Sequence, residues 1–282
     1  MAAITRRVGG VMVFLIGLSV ATPLVVRAQA PGSVVDADPR VQGRSYLFED
    51  TGEQMPYALF VPSTYDPSNP APLIVGLHGL GRPYDWVMGY EGYLDFAEAG
   101  GYIAVAPKGY HARAWYGSRG PATAPGTRAE EGMVALPDNI GELGEKDVMN
   151  VLALVREEFN IDDDRIYLWG HSMGGAGTYH IAAKYPEIWA ALGVAAPAPS
   201  VSPEQLEAFR DLPIIALQGD EDGLVVRTRE WVEKMSELGM EHVYIEIEGG
   251  DHSRFINSSP ETLSKLFSFF NIVHRNQRPG TR

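Results

Sequence analysis

The sequence predicts an α/β fold: a mostly parallel central sheet of about eight strands with helices on both faces, opened by an N-terminal antiparallel hairpin. Three observations predict it. From about residue 44 onward, short apolar runs alternate with helical periods, the pattern of strand–helix units wound into one sheet. Apart from Arg165 at the head of one of them, the runs at 73–77, 102–106, 165–169, 190–196 and 213–217 are continuously apolar, as strands covered on both faces must be. No internal repeat, low-complexity tract or linker interrupts the alternation, so the 282 residues read as a single large domain.

Each element has its own signature. Residues 45–48 and 57–61 flank Asp50-Thr51-Gly52-Glu53 and read as the hairpin, with Pro56 at an edge or strand start. Val148, Val151, Leu152, Val155 and Phe159 share one helical face, as do Trp231, Met235 and Leu238. Val243, Ile245 and Ile247 alternate, which makes the last strand half exposed. Ser259 followed by Pro260 supplies an N-cap and a first-turn proline for a final helix that turns Leu263, Leu266, Phe267 and Phe270 inward. The longest irregular stretch runs from about 109 to 144 and is rich in Gly, Pro and Ala. It follows the C-terminal end of a strand, where open α/β sheets build their ligand sites.

The ends read differently. Residues 1–30 contain no acid, place Arg6 and Arg7 before an apolar run at 8–26, and close on Ala28-Gln29-Ala30. A basic start, an apolar middle and an A-x-A end predict a cleaved secretory signal, hence an exported, periplasmic or extracellular protein with no stable membrane anchor. The expected division is signal 1–30, extension 31–43, α/β domain 44–273 and flexible tail 274–282.

Composition excludes several function classes. The formal charge is −13, and without Arg6, Arg7 and Arg27 the balance becomes 20 basic against 36 acidic residues, or −16. Such a chain lacks the basic footprint of a nucleic-acid binder. The absence of cysteine removes disulfides, thiol nucleophiles, thiolate zinc sites and iron–sulfur clusters. The acidic run Asp162-Asp163-Asp164 lacks the glycine and terminal Glu of a calcium loop, so no metal is expected. There is no G-x-G-x-x-G or P-loop, so no cofactor is expected either.

The strongest local signal is Gly170-His171-Ser172-Met173-Gly174, a G-x-S-x-G between an apolar strand and a helical pattern. That context lifts a serine hydroxyl off the sheet on a sharp turn. A hydroxyl needs a base to take its proton. Of seven histidines, only His252 falls in a loop just past the last strand, on the same sheet edge as Ser172. His78, in the loop after 73–77, reads as structural. The acid that orients such a base belongs between them in the chain. Asp220, Glu221 and Asp222 follow the strand at 213–217; Asp222 is favoured, with Asp220 as the alternative that more simply ties down the turn. Asp251 adjoins His252 and is poorly placed to hold its ring. Backbone donors for an oxyanion are expected from Met173 and from Leu80 in His78-Gly79-Leu80-Gly81. Trp86, Tyr90, Trp115 and Tyr116 are candidates for a substrate pocket.

These motifs resemble the α/β-hydrolase superfamily of serine hydrolases over roughly 44–273, and within it secreted esterases of the polyhydroxybutyrate-depolymerase and feruloyl-esterase type. The carriers are the His78–Gly81 loop, the 101–107 and 160–168 segments, the Ser172 elbow, the Gly219-x-x-Asp222 turn and the Gly-Asp-His252 loop. In that family the acid stands three residues beyond the glycine, which the resemblance carries onto Asp222. It implies a Ser172–His252–Asp222 triad, an acyl-enzyme, and an ester substrate, either a small molecule or a polymer. Such esterases often contain disulfides, and this chain has none. Residues 169–175 are also similar to the elbow of prolyl-oligopeptidase-type serine peptidases, which leaves a peptidase as the second reading. A catalytically silent binding protein on the same scaffold is the third.

Overall fold

The computed structural model describes residues 33–121 and 136–277. The expected signal, the middle of the 109–144 stretch and the last five residues lie outside the described residues. A short helix α1 (Val34–Ala37) leads into β1 (Val41–Phe48), which turns back into β2 (Glu53–Phe60). Then follow β3 (Ala71–Leu77), α2 (Tyr93–Ala99), β4 (Ile103–Pro107), α3 (Ile140–Glu158), β5 (Ile161–His171), α4 (Met173–Lys184), β6 (Ala191–Ala195) and β7 (Ile214–Gly219). The chain closes with α5 (Val225–Glu237), β8 (His242–Ile247), α6 (Arg254–Asn257) and α7 (Pro260–Ile272).

These eight strands form one sheet in the order β1-β2-β4-β3-β5-β6-β7-β8. The β1–β2 and β2–β4 pairs are antiparallel, and every other neighbouring pair is parallel. From β3 the chain moves outward to β4 on one side, then returns through α3 to β5 on the other. The strand order therefore reverses beside β3, and a crevice opens outside the C-terminal ends of β3 and β5.

The two faces of the sheet bury separate clusters because side chains alternate along a strand. Leu73, Val75 and Leu77 of β3 pack with Val148, Val151, Leu152 and Val155 of α3. Ile74 points the other way, into the cluster holding Leu263, Leu266, Phe267 and Phe270 of α7. Each such side chain is worth roughly 1.5–3 kcal/mol of burial, which is why the continuous runs mark strands. At the start of α7, Ser259 Oγ accepts the Thr262 N–H at 3.2 Å, with Pro260 in the first turn. The edge strand β8 is only partly buried, in keeping with its alternating pattern.

Three places differ from the sequence reading. In the hairpin, β1 begins at Val41 and β2 at Glu53, ahead of the expected 45 and 57, so Pro56 lies inside β2, on the part that pairs with β1 alone. β5 begins at Ile161, so Asp162, Asp163 and Asp164 lie inside a strand; they meet Arg165, Arg156 and Arg275 respectively. The charged start hides the strand from an apolar-run criterion, and Arg275, inside the expected tail, pairs with Asp164 of β5. The third difference is the larger. α3 starts at Ile140, within the stretch expected to be irregular. Gly141 and Gly144 weaken the helical signal, yet close approach demands them: a Cβ would lie 2.2 Å from the Gly120 carbonyl oxygen at 141 and 2.9 Å from that of Gly109 at 144. From the same helix, the buried Asp147 carboxylate accepts the Gly109 N–H at 2.7 Å, the Tyr110 N–H at 3.2 Å and the Tyr46 hydroxyl at 2.6 Å. The segment after β4 is thus pinned onto α3. Among the described residues no helix is long and apolar enough to cross a membrane.

Candidate active site

Ser172 sits between the end of β5 and the start of α4 with φ 58° and ψ −114°, a backbone conformation that L-residues rarely adopt. Its neighbours hold the turn. The Ser172 N–H donates to the Ala195 carbonyl at 2.9 Å, and the Ser172 carbonyl accepts the N–H groups of Ala176 and Ala198 at 3.1 and 3.0 Å. Helix and strand must nearly touch for this. A Cβ at Gly170 would stand 2.3 Å from the Gly174 backbone, and one at Gly174 only 2.1 Å from the Leu77 carbonyl oxygen. The same approach brings the first turn of α4 against the end of β3 and the loop that follows it.

His252 comes from the loop between β8 and α6. Its Nε2 is 2.9 Å from Ser172 Oγ, and its Nδ1 is 2.9 Å from Asp222 Oδ2. Because a carboxylate only accepts, Nδ1–H donates to Asp222, which leaves Nε2 free to accept the serine proton. Asp222 is itself fixed: Oδ2 also accepts Gln218 Nε2–H at 2.8 Å, and Oδ1 accepts the Leu224 N–H at 3.2 Å. The buried Gln218 is oriented in turn by the Thr228 hydroxyl, which donates to its Oε1 at 2.7 Å. Asp220 makes no hydrogen bond to His252; its backbone N–H donates to the Ile247 carbonyl, and among the described residues its buried Oδ1 has no hydrogen-bond partner. Asp251 accepts the N–H groups of Ser253 and Arg254 and pairs with the Arg254 guanidinium, so it shapes the loop that carries His252.

The two expected backbone donors lie on the first turn after Ser172 and on the loop after β3. Met173 opens α4, where the partial positive charge of the helix end lies. Leu80 lies on the loop after β3. Among the described residues, neither N–H has a protein acceptor. The loop is held from beneath by the buried His78, whose Nδ1 is 2.8 Å from the Gly79 carbonyl and whose Nε2 is 3.0 Å from that of Lys108. The His78 N–H donates to Tyr116 Oη at 3.0 Å, and the Gly81 N–H to the Ala112 carbonyl at 2.8 Å.

Residues 49–259 match the model of the Esterase family. The chain belongs to the Esterase family. A segment of 167 residues, 57% of the chain, is 29% identical to the bifunctional acetylxylan esterase/xylanase XynS20E of Neocallimastix patriciarum, and spans 21% of that protein's length. Among solved structures, a thermostable esterase superposes with a TM-score of 0.62 at 23% identity, covering 84% of this chain and 64% of the other. An S-formylglutathione hydrolase from Agrobacterium tumefaciens gives 0.63 at 22% identity, covering 81% and 94%. A ferulic acid esterase from Anaeromyces mucronatus, solved with ferulic acid, gives 0.61 at 18% identity, covering 83% and 90%. These likenesses show the α/β-hydrolase fold.

In this member of the Esterase family, the four aromatics considered for a pocket divide. Trp86 is half-buried and stacks on His171, with ring centroids 5.0 Å apart. Arg82 lies over its ring at 5.0 Å. Trp115 is buried beneath the Arg119 guanidinium, 3.4 Å from the ring centroid. Tyr90 and Tyr116 are fully enclosed, and their hydroxyls are engaged by His171 and by the His78 backbone. Gln218 escaped the sequence reading; its only signal was a polar residue closing a buried strand. Among the described residues, no group of three or more His, Asp or Glu side chains is placed to hold a metal ion.

Proposed function

We propose that this protein is an exported serine carboxylesterase that cleaves its substrate through an acyl-enzyme. The observation that carries the reading is the continuous hydrogen-bonded line from Ser172 Oγ through His252 to Asp222, 2.9 Å at each step. His252 Nε2 takes the Ser172 proton as Oγ attacks the ester carbonyl. Asp222 holds the ring in the one tautomer that leaves Nε2 free, and stabilises the imidazolium that forms. The N–H groups of Leu80 and Met173 receive the oxyanion, a contribution of about 3 kcal/mol per donor in comparable sites. His252 then protonates the departing alcohol, and water, deprotonated by the same nitrogen, releases the acid.

The acetylxylan and ferulic acid esterases among the similar proteins direct the choice of substrate toward acetyl and aryl-acyl esters of carbohydrates, as small molecules or on a polymer. Export rests on the sequence of residues 1–30 and predicts a mature chain starting at Pro31.

Wild type incubated with a chromogenic acetyl ester and a fluorophosphonate probe tests the reading. Hydrolysis and labelling are expected, and Ser172→Ala abolishes both. Full activity in Ser172→Ala, or failure of the wild type to be labelled at any pH, overturns the proposal. Matched ester and amide substrates separate an esterase from a peptidase.

A further inference from the structure

Ser172 is preceded by a histidine whose ring lies wholly inside the protein. His171 Nε2 is 2.7 Å from the backbone carbonyl oxygen of His252. A carbonyl can only accept, so Nε2 carries the hydrogen. His171 Nδ1 is 2.5 Å from the Tyr90 hydroxyl. With the ring neutral, that hydroxyl donates to Nδ1. The ring is also fixed in orientation. Trp86 stacks on it with an interplanar angle of 23°, and Tyr90 stands edge-on to both Trp86 and His171, at 84° and 87°. On the remaining side lie the rings of Phe255, at 6.0 Å, and of His252 itself, at 5.3 Å.

Resting on the serine-esterase reading, we propose that His171 is a positioning residue for the catalytic base: it holds the backbone of His252 at a set distance from the turn that carries Ser172. Several observations converge on it. A buried histidine needs partners for both ring nitrogens, and most core histidines find them on any nearby backbone. Here one partner is the carbonyl of the very residue that must accept the nucleophile's proton. Among the described residues no backbone N–H donates to that carbonyl. The His252 side chain is 42% exposed, so solvent-side packing contributes little to holding it. Its loop is otherwise tied at neighbouring positions, by Gly250 to Ile247 and Glu221, and by Asp251 to Ser253 and Arg254. The peptide of His252 itself is tied to His171, the residue bonded covalently to the nucleophile. Serine and base therefore share one anchor at the end of β5, and their separation is set over a short path.

The tautomer matters to this role. Were the hydrogen on Nδ1, Nε2 would present a lone pair to the His252 carbonyl and repel it. The Tyr90 hydroxyl prevents that by occupying Nδ1 as a donor. Charge on His171 would be equally harmful, since an imidazolium forms 5.3 Å away on His252 during the reaction. Burial, followed by the nearby His252, pushes the His171 ring down to about 3, and the other charges that face it are Asp222 and Arg82. It stays neutral while the base cycles. Misplacement of reacting groups by about 1 Å can cost on the order of 100-fold in rate, so the anchor is expected to appear in kcat.

The experiment compares wild type, His171→Phe and His171→Gln on a small chromogenic acetyl ester, together with the 15N-resolved ring signals of His171. Phe keeps the stack on Trp86 but loses the donor; Gln restores an N–H near the position of Nε2. The expected result is a fall in kcat of roughly 10- to 100-fold for His171→Phe with KM within about threefold, and recovery of most of it in His171→Gln. The wild-type ring is expected as the neutral Nε2–H tautomer between pH 5 and 9. A His171→Phe enzyme within twofold of wild type overturns the proposal, as does a Gln variant no better than Phe. An Nδ1–H tautomer or an imidazolium in the wild type overturns it too, and that measurement stands even if His171→Phe fails to fold. A wild type that is inert and unlabelled by fluorophosphonate defeats the serine-esterase reading instead, while the ring signals still report on the His171 anchor.

Discussion

Gln218 Nε2 lies 2.8 Å from Asp222 Oδ2, the same oxygen that accepts His252 Nδ1–H. The contact joins the end of a buried strand to the loop beyond it, and helps to fix the Asp222 carboxylate that meets the His252 ring. Replacing Asp222 with Asn should lower kcat by about 10⁴, because the amide can stabilise the wrong tautomer of His252. Asp220→Asn should stay within a few-fold, since the His252 ring is hydrogen-bonded to Asp222 instead. Gln218→Leu removes one donor and should cost about tenfold in kcat, the scale of a 1–1.5 kcal/mol hydrogen bond, with KM nearly unchanged. Steady-state kinetics on one ester decide all three; an Asp220→Asn loss equal to that of Asp222→Asn would reassign the acid.

The close approach at Gly174 predicts a stability effect separate from chemistry. A Cβ there would lie 2.1 Å from the Leu77 carbonyl oxygen and 2.9 Å from that of His78, and neither is a side chain that can rotate aside. Gly174→Ala should destabilise the protein by about 3 kcal/mol or more and should displace the loop carrying Leu80. Gly223→Ala is the comparison, since a Cβ there meets nothing within 4 Å. Urea unfolding of both variants checks this, and equal midpoints for the two would refute it.

Away from the site, Glu145 of α3 accepts His180 Nε2 at 2.7 Å, Lys184 Nζ at 2.6 Å and the Tyr185 hydroxyl at 2.9 Å. Burial alone would raise its carboxyl, but the hydrogen bonds from His180, Lys184 and Tyr185 outweigh it and hold the group at about 2. A folded value below the ordinary 4.5 means that the stabilisation is present in full above that value. It is lost as pH falls from there through 2. Glu145→Gln should therefore be less stable than wild type by about 2 kcal/mol at pH 7, with the gap closing toward pH 3. Denaturation midpoints at the two pH values test it; a gap that widens on acidification contradicts the sign.

Much of this molecule was legible before any coordinates. The strand–helix alternation, the elbow at Ser172 and the position of His252 past the last strand all depend on short-range periodicity and chain order. Those survive in a one-dimensional reading because the central strands bury both faces wherever they lie in the sheet. Legibility failed where a local signal conflicted with a distant contact. The first turns of α3 contain Gly141 and Gly144, which weaken a helix in isolation and are required by the backbones of Gly120 and Gly109 against it. The start of β5 is acidic, and is accommodated by arginines from α3, from β5 itself and from the chain end.

The sequence by itself determined the fold class, the residue types available for chemistry and the edge of the sheet where they gather. Only the tertiary structure decided which of three neighbouring acids meets His252, that Gln218 steadies it, and that the Tyr90 and Tyr116 hydroxyls engage His171 and the His78 backbone. It alone brought His171 onto the carbonyl of His252. The physical reason is common to all of these. A hydrogen bond is settled within a few tenths of an ångström between atoms that stand, for His171 and His252, 81 residues apart, and no periodicity along the chain encodes that distance.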